Sequence, residues 1–279
     1  LDMLETALGF AGSVTAPHRA ASLTGRDVLR AGGSAIEAMV AMAATIAVAY
    51  PHMNGLGGDA FWVIERPGEA PLVISGCGRA AALATPEWYT SRGYASIPAR
   101  GPDAALVVPG SVASWQMALD LLGGKQKFTL AELLADAIAL ARDGVAVTPH
   151  LADTAAAKGV ALVDVPGFAK AHLDNGKAIT AGSRYRQPAL EATLRRLAEA
   201  GTADFYTGDI ARENGRFLAE VESPLRTGDF AHYRAERTTP LAVKLRSGMV
   251  YNVPPPTQGV ATLIALGLFD RLGVETPDG

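Results

Sequence analysis

The stretch Pro51–Glu65, PHMNGLGGDAFWVIE, places Gly55, Gly57 and Gly58 between two apolar segments. Together with Ala60, these glycines match the loose dinucleotide-binding pattern G-x-G-x-x-G/A. That pattern needs a strand before it and a helix after it, so that the phosphate meets a helix N-terminus. Here the glycines follow a helical segment, AIEAMVAMAATIAVAY, and precede a strand, FWVIE. We therefore predict a tight turn that lets the backbone approach another element, and not a phosphate site.

Capping and turn residues predict the elements on either side of this turn. Ser34 and Glu37 have the spacing of a capping box, at the start of a helix that is apolar nearly all round and therefore buried. The runs FWVIE and PLVIS form a hairpin about Pro67-Gly68. Further helices are predicted at 19–32, 111–122 (with Ser111 as N-cap), 129–142, 149–158, 189–199, 209–221 and 258–272, a strand at 104–108 and a second hairpin at 241–253. Strands interleaved with long buried helices indicate a layered α+β fold.

The composition is that of a globular protein, with 49% hydrophobic and 19% charged residues. The net charge is −3 and no basic cluster is present, so we expect no nucleic-acid partner. The longest apolar run, Met39–Tyr50, is shorter than the roughly 20 residues that span a membrane. The opening LDMLETALGF has no basic segment typical of a signal peptide, and Cys77 is the sole cysteine. We therefore expect a cytoplasmic protein, with a periplasmic one as the alternative if a leader precedes Leu1.

Candidate chemical groups are few. The five histidines have no i, i+4 pair and no neighbouring cysteine, which argues against a metal site. Asp59, beside the glycine turn, is expected to accept hydrogen bonds from turn amides. Cys77 lies between two glycines at a predicted strand end, where a backbone can approach a ligand closely. No nucleophile–base pair is evident, so we predict no catalytic residue, metal or cofactor in this chain.

Seven motifs in series nevertheless resemble one family, the gamma-glutamyltranspeptidases. They are, in chain order, GGSAIEAMVA, PHMNGLGGDAFW, VPGSVASW, LLADAIALARDGVAV, DFYTGDIA, HYRAE and PPPTQG. The resemblance implies the fold of the N-terminal nucleophile hydrolases, a four-layer αββα sandwich whose core is completed by a second chain. It also implies a precursor that cuts itself into a large and a small subunit. Residues 1–279 would then be a single domain, most of the large subunit.

The same resemblance accounts for the lack of a catalytic group. In this family the threonine at the front of the small subunit is both nucleophile and, through its amine, base. That threonine and the cleavage site would lie beyond Gly279. The partners implied are the small subunit and a small-molecule amide, and a dimer of such heterodimers is an assembly that the resemblance allows.

The sequence departs from the family at the residue that holds the substrate carboxylate. Gamma-glutamyltranspeptidases have a Phe-Arg-Glu motif after the glycine turn, and the arginine and glutamate positions correspond to Cys77 and Gly78 here. A neutral thiol cannot form a bidentate carboxylate contact. Arg79 lies two residues further and would point to the same face if the strand continued, whereas a strand broken by Gly-Cys-Gly would leave Arg79 at the surface. We predict Cys77, Gly78 and Arg79 as substrate-binding residues.

Several motifs are more similar to the oxamate amidohydrolase branch of the family. They are GGSAIEAMVA, YPHMNGLGGDAFW, RGPDAAL, SRYRQPAL and PPTQG. The resemblance therefore implies hydrolysis of a small anionic amide. The alternatives are a true gamma-glutamyltransferase or glutathione hydrolase, a cephalosporin-type acylase, and a non-catalytic scaffold that has lost its threonine.

Overall fold

The structure, a computed structural model, describes residues 8–174 and 176–273. Its helices within these ranges are α1 (Arg19–Arg30), α2 (Ala35–Ala49), α3 (Pro86–Ser91), α4 (Ser111–Asp120), α5 (Leu130–Asp143), α6 (Pro149–Leu162), α7 (Phe168–His172), α8 (Pro188–Ala200), α9 (Asp204–Thr207), α10 (Asp209–Glu220), α11 (Thr227–His232) and α12 (Gly259–Leu272). Its strands are β1 (Ala60–Ile64), β2 (Leu72–Gly76), β3 (Val145–Ala146), β4 (Leu173–Asp174), β5 (Lys177–Ala178), β6 (Arg184–Tyr185), β7 (Glu236–Thr238), β8 (Leu241–Leu245) and β9 (Gly248–Asn252).

Helix α2 begins at the predicted capping box. The Ser34 hydroxyl accepts a hydrogen bond from the Glu37 amide, and the Glu37 carboxylate accepts one from the Ser34 amide. The Glu37 side chain is 1% exposed, and its other oxygen accepts hydrogen bonds from the amides of Lys127 and Phe128. One carboxylate therefore joins the start of α2 to the segment that leads into α5. The helix packs against α1 and α5 and is buried on nearly all sides, as predicted.

The predicted hairpin of β1 and β2 is confirmed, and β7 pairs with the other edge of β2 to give the antiparallel order β1-β2-β7. One face of this sheet packs against α4, where Trp62 donates a hydrogen bond to the Ser114 hydroxyl over 2.9 Å. Side chains alternate along a strand, so Phe61 and Val63 lie on the opposite face, and both are exposed. The sheet therefore has one buried face and one face that carries uncovered apolar side chains.

Two sequence predictions in this region are wrong. The segment 104–108 forms a 3-10 turn at Pro102–Ala104 and a single bridge between Ala80 and Val107 instead of a strand. Pro109, which has no amide hydrogen, ends that pairing. Ser111 is the first residue of α4 and not its cap, because the carbonyl of Gly58 accepts hydrogen bonds from the amides of both Gly110 and Ser111. The glycine turn thus supplies the backbone cap of α4.

The second hairpin, β8 and β9, turns about Ser247-Gly248 as predicted and packs against α12. Helix α12 carries large apolar side chains at the surface, including Leu268 at 56% and Phe269 at 53% exposure. Most buried apolar residues from α2 to Ala235 form one cluster, which is consistent with a single domain. The single domain over 1–279 stays a prediction, and the chain end TPDG lies outside the described residues.

Candidate functional site

The three predicted substrate-binding residues follow the end of β2. The strand ends at Gly76, so Cys77, Gly78 and Arg79 lie beyond it and the strand does not continue to Arg79. The backbone is held there by a hydrogen bond of 2.9 Å from the Val108 amide to the Arg79 carbonyl. The Arg79 side chain is 68% exposed, which agrees with the alternative in which Gly-Cys-Gly interrupts the strand.

These residues line one cavity of about 240 Å³, which we call the Cys77 cavity. Its other lining residues are Ser75, from β2, and residues from two segments distant in sequence: Arg234, Glu236, Thr238, Val253, Pro254, Pro255 and Pro256. In the sheet register Ser75 lies opposite Glu236, at the end of the sheet where β2 meets β7. The structure thus brings two predicted motifs, HYRAE and PPPTQG, to Cys77, Gly78 and Arg79.

Close backbone packing explains the glycine at position 78. A Cβ atom at Gly78 would overlap the carbonyl oxygen of Val108. The Gly78 amide donates a hydrogen bond of 2.8 Å to Asp59, and the Tyr233 hydroxyl donates one of 3.0 Å to the Cys77 carbonyl. Asp59 therefore accepts a hydrogen bond from a backbone amide, as predicted, although the amide belongs to the substrate-binding segment and not to its own turn.

A second close approach lies directly behind the cavity, where Gly76 faces Gly110. A Cβ atom at Gly76 would lie 2.7 Å from the Gly110 carbonyl oxygen, and one at Gly110 would overlap the carbonyl of Gly76 and the Tyr233 hydroxyl. The end of β2 and the start of α4 are therefore in backbone-to-backbone contact. This contact places Cys77 next to the glycine turn that caps α4.

Two guanidinium groups and one carboxylate give the cavity its charge. Arg79 forms an ion pair with Glu236. Arg234 donates from Nη1 to the carbonyls of Ala231 and Tyr233, over 2.9 and 2.6 Å. Among the described residues no carboxylate lies within ion-pair distance of Arg234. The lining therefore has an excess of one positive formal charge, which suits a small anion.

The Cys77 thiol is not activated. Burial raises the pKa of Cys77, and the nearby carboxylates of Asp59 and Glu236 raise it further. Burial likewise raises the pKa of Tyr233 to about 12, with a further contribution from Asp59. Both groups therefore stay protonated at neutral pH. Cys77 is a neutral lining group and not a nucleophile.

A cluster of polar rings that no sequence motif indicates lies away from this cavity. Nε2 of His52 lies 2.9 Å from Nδ1 of His150, and the Tyr50 hydroxyl lies 2.8 Å from the same Nδ1 atom. Because 98 residues separate the two histidines, no local spacing pattern could reveal the contact. In the part of the chain that the structure describes, no three His, Cys, Asp or Glu side chains form a group that could hold a metal ion.

The predicted glycine turn contributes to a wider cavity of about 890 Å³, lined mainly by apolar residues. Gly55, Leu56 and Gly57 lie on its wall, where the side chains of Lys170 and Arg186 add positive charge. Across residues 8–174 and 176–273 no helix is long and apolar enough to cross a membrane.

Comparison with known proteins is consistent with the motifs. The gamma-glutamyltranspeptidase family model matches residues 21–278. An oxamate amidohydrolase proenzyme from Klebsiella pneumoniae is 47% identical over 271 residues, which cover 96% of this chain and 51% of that protein. The chain thus spans about half the length of the curated relatives it matches.

Two solved structures have the same fold. A gamma-glutamyltranspeptidase from Pseudomonas nitroreducens aligns with a TM-score of 0.84 and 26% identity, covering 96% of this chain and 80% of that one. A cephalosporin acylase from Bacillus halodurans aligns with a TM-score of 0.83 and 31% identity, covering 92% of this chain and 48% of that one. The expected fold, the α+β four-layer αββα sandwich of the N-terminal nucleophile hydrolases, is confirmed by this likeness. With the family model matching almost its full length, the chain belongs to the gamma-glutamyltranspeptidase family.

Proposed function

We propose that the chain is the large subunit of an amidohydrolase that cleaves a small anionic amide of the oxamate type. The observation that carries the proposal is the Cys77 cavity. A thiol stands where the family has its carboxylate-binding arginine, while Arg79 and Arg234 present guanidinium groups to the same small space. Guanidinium groups bind carboxylates through paired hydrogen bonds. The similarity to the oxamate amidohydrolase proenzyme supports the same substrate class.

The reaction is a nucleophilic acyl transfer. The threonine hydroxyl at the front of the small subunit attacks the amide carbonyl, its own amine takes the proton, and ammonia leaves from the tetrahedral state. Water then hydrolyses the acyl ester and releases a dicarboxylate, with the threonine regenerated. Backbone amides stabilise the oxyanion. The Gly78 amide is not one of them, because Asp59 already accepts its hydrogen bond.

Uncovered apolar surface supports the small subunit as a partner. Phe61 and Val63 are exposed on one face of the sheet, and Leu268 and Phe269 are exposed on α12. A second sheet packed on the exposed face of β1 would complete the sandwich and bury Phe61 and Val63. We propose a heterodimer cut from one precursor, and a dimer of heterodimers as its further assembly. The single cysteine supports our expectation of a cytoplasmic location.

A kinetic comparison of substrates tests the proposed function. The protein expressed from its full gene is expected to release ammonia from oxamate faster than it cleaves a γ-glutamyl anilide. Arg79→Ala should raise KM for oxamate by up to about fivefold, since a carboxylate contact to an exposed guanidinium group contributes about 0–1 kcal/mol. Hydrolysis of oxamide, the neutral analogue, should hardly change.

Three results would contradict the proposal. Turnover of the γ-glutamyl anilide alone would favour the gamma-glutamyltransferase alternative, and turnover of a cephalosporin side chain alone would favour the acylase. A single uncut chain without amidase activity, detected by mass spectrometry, would favour the scaffold that has lost its threonine.

A further inference from the structure

The ion pair between Arg79 and Glu236 lies in the cavity that we assign to the substrate carboxylate. Glu236 is the first residue of β7, and its carboxylate contacts Nη2 of Arg79. The two side chains are 60% and 68% exposed, respectively. Glu236 therefore pairs with the same Arg79 guanidinium group that we propose as the binding group for the substrate carboxylate.

An exposed ion pair of this kind is easily exchanged. Water solvates both partners, so such pairs contribute only about 0–1 kcal/mol. A substrate carboxylate can replace Glu236 on Arg79 at little cost, and Arg234, which lines the same cavity, offers a second guanidinium group. Glu236 remains attached to β7 and re-forms the pair when the cavity empties.

We propose that Glu236 is a specificity-determining residue, an internal carboxylate that competes with substrate and product for Arg79. This inference rests on the proposed function. Amide hydrolysis turns a monoanionic substrate into a dianionic product, so the product interacts more strongly with two guanidinium groups than the substrate does. Either ligand must displace Glu236 from Arg79, but the displaced carboxylate stays beside the cavity and repels the dianionic product more than the monoanionic substrate. Glu236 therefore favours release of the dicarboxylate.

Removing the charge of Glu236 should change two measurable constants, the KM for oxamate and the inhibition constant of oxalate. Glu236→Gln keeps the shape of the side chain and removes its charge, so KM for oxamate should fall by up to about fivefold. The inhibition constant of oxalate should fall by a larger factor. A matched control is Glu213→Gln, which removes a carboxylate from an equally exposed ion pair with Arg216 on α10, outside the cavity. The control should change neither constant.

The opposite outcome has an equally defined meaning. If Arg79 and Glu236 together bind the carboxylate and ammonium groups of an amino acid, Glu236→Gln should raise KM for a γ-glutamyl substrate and leave oxamate kinetics unchanged. That result, or an unchanged oxalate inhibition constant, would overturn the proposal.

Cys77 provides a second test that does not need catalysis. Iodoacetate is a small carboxylate and iodoacetamide its neutral analogue, and both alkylate the same thiolate, so their rate ratio at Cys77 cancels any change in thiol pKa. Peptide mapping isolates the Cys77 signal in the two-chain protein. Glu236→Gln should raise the iodoacetate-to-iodoacetamide ratio several-fold, Arg79→Gln should lower it, and Glu213→Gln should leave it unchanged.

The two tests separate the two hypotheses. An oxamate-inactive protein whose alkylation ratio responds as expected contradicts the proposed function but supports Glu236 as a competitor for Arg79. An oxamate-active protein whose ratio, KM and oxalate inhibition all ignore Glu236→Gln overturns the inference and leaves the proposed function in place.

Discussion

Glu37→Gln should destabilise the fold more than an ordinary capping substitution. One oxygen of the buried carboxylate accepts hydrogen bonds from the Ser34 amide and hydroxyl at 2.7 and 2.8 Å. The other oxygen accepts from the amides of Lys127 and Phe128 at 2.7 and 2.8 Å. A glutamine oxygen can serve one pair of donors, but its NH₂ group then faces the other pair, where at least one amide loses its acceptor.

The expected magnitude follows from those four contacts. Hydrogen bonds to a charged group contribute about 1.5–3 kcal/mol each and neutral ones about 1 kcal/mol. Losing one bond and weakening the remaining ones should lower the free energy of unfolding by about 3 kcal/mol. Chemical denaturation of the purified protein, followed by tryptophan fluorescence, measures this change as a lower midpoint at constant m-value.

The chain contains a matched control for this substitution. Glu132 forms the same capping box with the Thr129 amide and hydroxyl, at 2.8 and 2.7 Å, but it is exposed, and among the residues that the structure describes no second pair of donors contacts it. Glu132→Gln should therefore cost clearly less. If the two substitutions cost the same, the contacts to Lys127 and Phe128 add no stability and the reasoning fails.

The effect should also depend on pH. Burial by itself raises the pKa of Glu37, but the hydrogen bonds from Ser34, Phe128 and Lys127 outweigh it and hold the pKa below its ordinary value of 4.5. The stabilisation is therefore fully present above that value and is lost as the pH falls through the folded-state pKa. The deficit of Glu37→Gln should be constant between pH 6 and 7 and should shrink at pH 4 and below.

Three other outcomes are expected. Ser34→Ala should lower the free energy of unfolding by about 1 kcal/mol and leave kcat per folded enzyme unchanged, measured by denaturation and active-site titration. Residues 1–279 expressed alone should hydrolyse no amide, since the proposed threonine lies elsewhere; turnover in an ammonia assay would refute the two-chain mechanism. Phe269→Ser, on the exposed face of α12, should weaken association of the two subunits in native mass spectrometry and hardly alter the solubility of the large chain.

Local patterns in the sequence predicted the local structure well. The Ser34–Glu37 capping box and both hairpins are confirmed, because each depends on residues only a few positions apart. The prediction of the N-cap of α4 was wrong because the group that accepts hydrogen bonds from its first amides, the Gly58 carbonyl, belongs to a turn more than fifty positions away. The residue types around Ser111 give no indication of that backbone contact.

The candidate site was predicted only in part for the same reason. Cys77, Gly78 and Arg79 are consecutive, and the family resemblance pointed to them. Glu236 lies 157 positions from Arg79 in the sequence, and the pairing of β2 with β7 brings the two together. A strand of only three residues, such as β7, has no recognisable sequence pattern, so this pairing could not be predicted. The contact of His52 with His150 was missed because it joins the end of α2 to the start of α6.

The contact between Gly76 and Gly110 limits how this protein can diverge. Each glycine faces a backbone carbonyl of the other, so no trimming of a neighbouring side chain makes room for a methyl group at either position. A compensating second substitution is therefore not accessible, and a saturation scan should find every replacement at both sites depleted. Gly57 and Gly68, which have open space around them, should differ: the scan should accept small residues at Gly57, whereas Gly68 has a φ of 79° and should favour asparagine or aspartate. The proposed substrate range can then change through the charged residues that line the Cys77 cavity, while the contact between Gly76 and Gly110 stays fixed.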